Sequence, residues 1–176
     1  VDGPVEMELP GYKIRVKGNA RQISTAAKAI NKSEKPVLYV GGGIISANAS
    51  KELRAVAEKA NLPVTMTLLG LGSIDQTEDR SLDMPGMHGS AYANYAIQEC
   101  DLLIAVGARF DDRVTGKIAT FAPHAKILHV DIDPASISKN VHVDIPVVGS
   151  AKEILSALAK EVEYKERKEW FDKIAG

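Results

Sequence analysis

The chain has 176 residues, 45% of them hydrophobic, and a formal net charge of −1, which is length and apolar content for one domain with a sizeable core plus tails. Its Lys and Arg are scattered, so the electrostatic footprint of a nucleic-acid binder is excluded, and no apolar run approaches the roughly 18 residues of a spanning helix. Cys100 is the single cysteine, which excludes a disulfide framework and a cysteine-based zinc site; with no basic-then-apolar leader, the expectation is a reduced, soluble, cytoplasmic protein.

Taken in chain order, the amino-terminal segment 1–17 carries Gly and Pro and reads as a linker. "GNARQISTAAKAI" places Ala20, Ile23, Ala27 and Ile30 on one helical stripe, and Asn19 with Gln22 has the form of a capping box. "PVLYVGGG" is a short buried strand ending in three glycines, and "SANASKELRAVAEKAN" is a helix with Leu53, Val56, Ala57 and Ala60 on one face. "LPVTMTL" is a second strand, and a long Gly-rich stretch, 69–89, leads into a helix around 92–100. "DLLIAVG" is the third strand, "AKILHVDID" the fourth and "DIPVVG" the fifth. A final helix, "SAKEILSALAKEV", opens with the box Ser150 to Glu153. Residues 164–176 are rich in charge and carry one aromatic pair, Trp170 and Phe171, which would pack poorly on a lone domain. This end reads either as a frayed helix or as a linker from a longer polypeptide.

Strands alternating with helices predict a doubly wound, Rossmann-like α/β fold. Its parallel sheet has five or six strands with helices on both faces. Ligands of such sheets bind beyond the carboxyl ends of the strands, where strand order reverses. Those ends read "GGG", "TLLGLG", "GARFDDR" and "DIDP", and they are expected to crowd together with the 69–89 loop nearby.

The stretch "LLIAVGARFDDRVTG" puts Arg109, Asp111, Asp112 and Arg113 just past a buried strand. Arg109 and Arg113 suit a bidentate grip on phosphate, with the two acids balancing them; a self-paired surface cluster is the alternative. "GGGIIS" approximates the phosphate-binding glycine fingerprint before a helix, or is a tight strand-to-helix turn. An ordinary nicotinamide site also wants an acid at the end of the second strand, about 20 residues further on. Thr65, Met66, Thr67 and Leu68 stand there instead. Acids occur at the fourth strand end: Asp133 precedes Pro134 and reads as a helix cap, while Asp131 interrupts a buried strand and is a candidate acceptor for a ribose hydroxyl. "DMPGMHG" sets Met84, Met87 and His88 among glycines, side chains that can lie against a flat ring or serve only structure. Cys100 has no basic neighbour and reads as core, and His124, His129 and His142 lack metal-ligand spacing. No nucleophile elbow, Walker loop or H-E-x-x-H occurs. These features describe a binding site without a reaction.

"VGARFDDRVTGKI", with "GLGSIDQTEDRSLDMPGMHGSAYANYAI" before it and "KILHVDIDPASISKN" after it, resembles the central domain of the acetolactate synthase large, catalytic subunit. The likeness covers about residues 11–164. It implies an FAD-binding central domain over 18–163, with 1–17 and 164–176 as linkers toward flanking domains. Those domains would bind thiamine diphosphate and magnesium, and no metal is expected here. It implies that Gly41, Gly42 and Gly43 approach the flavin's phosphates and ribityl chain, and that Thr67, Leu68 and Leu69 line its path. Gly86, Met87 and His88 would support the flavin side. Gly107, Ala108, Arg109, Asp111, Arg113 and Val114 would form the central cradle, and Asp131 and Ile132 would meet the adenosine end. Arg113 and Met87 are further candidates for contact with a substrate channel. Pro85 and Ser150 depart from the family, where Leu and Asp are frequent.

The parent chemistry so implied is decarboxylation of pyruvate on thiamine diphosphate and addition of the hydroxyethyl group to a second 2-keto acid, in branched-chain amino-acid biosynthesis. The resemblance implies a flavin that is structural rather than redox, and this chain alone is expected to be inactive. Partners implied are the flanking domains and, for the full-length enzyme, a homodimer or homotetramer, with a regulatory subunit left open. The rival readings are the middle domain of a redox flavoenzyme such as pyruvate oxidase and a ligand-free spacer domain of a thiamine-dependent decarboxylase.

Overall fold

The computed structural model describes residues 17–110 and 121–176. Five strands, each an apolar run in the sequence, form one parallel sheet: β1 (Pro36–Val40), β2 (Val64–Met66), β3 (Leu102–Val106), β4 (Lys126–Asp131) and β5 (Ile145–Val148). Their order is β2-β1-β3-β4-β5. The register pairs Val40 with Met66 and with Val106, and Val106 with Val130, so the carboxyl ends of four strands are level. An isolated bridge between Val64 and Ser81 brings part of the 69–89 stretch alongside β2. The five strands agree with the expected five or six.

Because strand side chains alternate between faces, each strand feeds two cores. Leu38, Val40, Ile104, Val106, Leu128 and Val130 join α1 (Ala20–Lys32), α3 (Ser50–Lys59) and α5 (Ala151–Glu161) on one face. Val37, Tyr39, Leu103, Ala105 and Ile127 face α4 (Ala91–Glu99) and α6 (Lys168–Ala175) on the other. A short helix, α2 (Gly43–Ser46), follows β1. Both faces are covered, as the doubly wound reading requires, and among the described residues no helix is long and apolar enough to cross a membrane.

Two capping boxes expected from the sequence do not form as such. Asn19 Oδ1 accepts from the Arg21 and Gln22 amides, but the Gln22 side chain turns away and accepts from Val148 N–H across to β5. Ser150 makes no side-chain cap; its carbonyl takes the Ile154 amide instead. Trp170 also differs from expectation, being 3% exposed, with its indole N–H donating to the Pro36 carbonyl at 3.0 Å. Beside it the Arg167 guanidinium is buried and donates to the carbonyls of Ala60, Ile30 and Ser33 at the ends of α3 and α1.

Candidate functional site

β1 and β3 are neighbours in the sheet, yet the chain leaves β1 toward β2 on one side and β3 toward β4 on the other. This is the switch point of the fold, the place where such sheets bind ligands. The two turns there meet backbone to backbone. Gly41 N–H donates to Val106 O, Gly43 N–H to Gly107 O and Gly107 N–H to Val130 O, each at 3.0 Å. A Cβ on Gly43 would lie 2.6 Å from Gly107 Cα, and Gly107 itself has φ +58°. Gly41 and Gly43 therefore serve first to let two turns close on each other; Gly41 is buried, whereas Gly42 is only partly covered. The tight-turn reading of "GGG" is thus realised for Gly41 and Gly43, and Gly42 in turn makes room for Leu69, whose Cβ would lie 2.9 Å from a Cβ placed on it.

Around this junction the edge is unusually apolar for solvent-facing surface. Ile45, Leu68, Leu69 and Ile132 are 47–77% exposed and Met87 is 89% exposed. Leu68 and Leu69 sit on a 3-10 turn (Leu68–Gly70) just after β2, and Gly70 fits only because it has no side chain to meet the Val40 carbonyl. The 83–89 loop starts from the same strand end, where the Asp83 carbonyl accepts both Met66 N–H at 3.0 Å and Thr65 Oγ1–H at 2.8 Å. The Asn94 side chain of α4 then brackets Gly86, accepting from its N–H at 2.8 Å and donating to its carbonyl at 2.9 Å. That clamp was invisible in the sequence, since an Asn on a helix has no distinctive spacing.

Past β3, Ala108 and Phe110 are buried while Arg109 between them is exposed and forms no ion pair among the described residues. Past β4, Asp131 lies mostly buried. One carboxylate oxygen accepts the Asp133 amide at 2.9 Å and the other lies 3.7 Å from His129 Nε2. Asp133 accepts the Ala135 amide at 2.9 Å over a 3-10 turn, Pro134–Ser136, so its cap role holds. Burial lowers the pKa of His129 below the ordinary histidine value, and its Nε2–H bonds to the Ala108 carbonyl at 2.9 Å.

Of the candidate residues, Gly41, Gly42, Gly43, Thr67, Leu68, Leu69, Gly107, Ala108, Arg109, Asp131 and Ile132 lie at or just past level strand ends. Gly86, Met87 and His88 lie on the loop that leaves β2. Asp111, Asp112, Arg113 and Val114 lie outside the described residues. Cys100 is buried at the far end of α4, where burial pushes its thiol up to about 12, a core residue and not a nucleophile. Among the described residues no group of three or more His, Cys, Asp or Glu is placed to hold a metal ion.

Residues 23–158 match the profile of the thiamine pyrophosphate enzyme central domain. The chain belongs to that family. Within it, the chain is 50% identical over 174 residues to the probable acetolactate synthase large subunit of Methanocaldococcus jannaschii, covering 97% of this chain and 29% of the relative. It is 49% identical over 178 residues to the acetolactate synthase large subunit of Corynebacterium glutamicum (98% and 28%), and 52% identical over 155 residues to the acetolactate synthase of Mycobacterium leprae (88% and 25%). The chain thus spans less than a third of the length of these relatives. Its central-domain match agrees with the resemblance drawn from "GARFDDRVTG".

Proposed function

We propose that this chain is the FAD-binding central domain of an acetolactate synthase large subunit. The observation that carries the reading is the identity of about 50% across nearly the whole chain to proteins of that name. In this reading 18–163 is the ligand-binding body, and 1–17 and 164–176 lead toward flanking domains that hold thiamine diphosphate and magnesium. The complete protein assembles as a homodimer or homotetramer in the cytoplasm.

The residues on the strand-end edge suit a flavin dinucleotide. Arg109 is an exposed cation suited to a phosphate, and the half-covered Gly42 lets backbone approach it. Leu68, Leu69 and Met87 offer exposed apolar surface for a ring system. Asp131 has one oxygen outside its own turn to accept a ribose hydroxyl. No acid follows β2 directly along the chain, where Thr67 and Leu68 stand, which fits a dinucleotide held differently from NAD. When bound, the flavin supplies a structural element and no net redox step. In the whole enzyme the chemistry, pyruvate decarboxylation and transfer of the two-carbon unit to a second 2-keto acid, belongs to the flanking domains, so this chain alone turns over no pyruvate.

Calorimetric titration of the chain with FAD, ADP and NAD tests the reading. FAD binding weakened by Arg109→Ala is the expected result. NAD binding in preference to FAD would overturn it, and pyruvate-dependent flavin reduction in the full-length protein would favour a redox relative.

A further inference from the structure

We infer that His129 and Asn140 are positioning residues that fix the turn carrying Arg109, so that its cation is presented at the switch point. Among the described residues, three of the four backbone carbonyls of the turn 107–110 are held by hydrogen bonds. Gly43 N–H donates to Gly107 O at 3.0 Å, His129 Nε2–H to Ala108 O at 2.9 Å and Asn140 Nδ2–H to Phe110 O at 2.8 Å. The Phe110 ring is locked as well, stacked on Tyr39 at 5.8 Å between centroids and edge-on to His129 at 5.2 Å. What remains free to face outward is the Arg109 side chain.

The imidazole is an expensive way to fill that space. His129 is 1% exposed, and its Nδ1 is buried with no hydrogen-bond partner among the described residues, which is costly for a polar atom. A leucine would occupy the site without that cost. The one thing histidine adds is an N–H aimed at the Ala108 carbonyl, and burial keeps the ring neutral, which leaves one proton for that bond. Asn140 is exposed and contributes little packing, so its bond to Phe110 O is again the contribution. Both residues come from β4 and the segment after it, so the neighbouring strand sets the attitude of the β3 turn.

The role of Arg109 toward a phosphate rests on the function proposed above; the holding of the turn does not. The test therefore uses two readouts on the same chain, FAD affinity and the 15N relaxation order of the Arg109 and Phe110 amides, in His129→Leu, His129→Gln, Asn140→Ala and Arg109→Ala. The expected result is that His129→Leu weakens FAD binding about three- to tenfold, the loss of one hydrogen bond's worth of order, and loosens both amides. His129→Gln, which keeps an N–H donor of similar reach, restores both. If Arg109→Ala weakens FAD binding but His129→Leu does not, the positioning role is overturned and the dinucleotide reading stands. If Arg109→Ala has no effect, or the unaltered chain takes no FAD, the relaxation data decide: unchanged order in His129→Leu overturns the inference. Should His129→Leu fail to fold, Asn140→Ala carries the same test, with loosening at Phe110 expected and its absence overturning.

Discussion

Gly41 and Gly107 meet with no room between them: a Cβ on Gly41 would lie 2.2 Å from the Gly107 carbonyl oxygen and 2.5 Å from Ala108 Cα. Backbone, unlike the end of a long side chain, cannot swing aside. Gly41→Ala is therefore expected to destabilise the fold by about 2–3 kcal/mol, as overpacking does, which for a chain of this size lowers Tm by roughly 5–10 °C. Gly72→Ala is the control. Gly72 has φ +90° but nothing within 4 Å, so only backbone strain opposes it and about 1 kcal/mol is expected. Thermal melts that reverse this ranking would refute the close-approach account.

Arg167 predicts a second, larger dependence. It is buried, and its guanidinium donates to carbonyls at the ends of two helices, where the partial negative charge of the helix dipole adds to the nearby Glu34 and Asp101 carboxylates. Arg167→Met should cost about 3 kcal/mol, because several carbonyls lose a charged donor together. It should also expose 162–176 to limited proteolysis. Arg167→Lys should recover less than half, since an ammonium cannot reproduce the planar fork.

The pH dependence of stability carries the mark of His129. Its folded pKa lies below the ordinary value near 6.5, so below that pH the unfolded chain binds a proton that the folded chain refuses. Stability is accordingly full above about pH 6.5 and declines as pH falls below it, the direction linkage requires when the unfolded state binds more protons. Denaturant melts between about pH 5 and 7 should show this slope, reduced in His129→Gln.

Cys100 should be inert in the native state. With its thiol raised to about 12 and its side chain buried, alkylation by iodoacetamide at pH 8 is expected only after unfolding. Mass spectrometry of native and denatured samples checks this, and rapid native labelling would contradict the burial.

β1, β2 and β3 were legible in the sequence because each is a run that the parallel sheet buries on both faces, whereas the edge strand β5 was read from "DIPVVG" although only Val147 in it is buried. The strand ends were legible too, as glycines and charges following those runs. The partners of the ends were not. Arg167 looked like one cation in a charged tail, because carbonyls of Ile30 and Ala60 leave no trace in side-chain identity. His129 looked like a histidine without a role, since its partner is again a carbonyl. Ser150 and Glu153 matched a capping pattern that the chain does not use, because the spacing licenses the bond without enforcing it. The glycines of "GGG" were found by sequence, but whether they spare room for a ligand or for another turn depends on what stands opposite them.

Two tethers of the terminal segments to the described body sit at opposite ends of the sheet. Gly18 lies against Gly149, just past the carboxyl end of β5, whereas Trp170 is tied to Pro36, the first residue of β1. Between them runs a close-packed parallel sheet about five residues deep, roughly 17 Å at 3.3 Å per residue. A sheet tied at both ends in this way is a stiff body and not a hinge. A displacement at one pole would reach the other as a movement of the whole domain, carrying the strand-end edge with it.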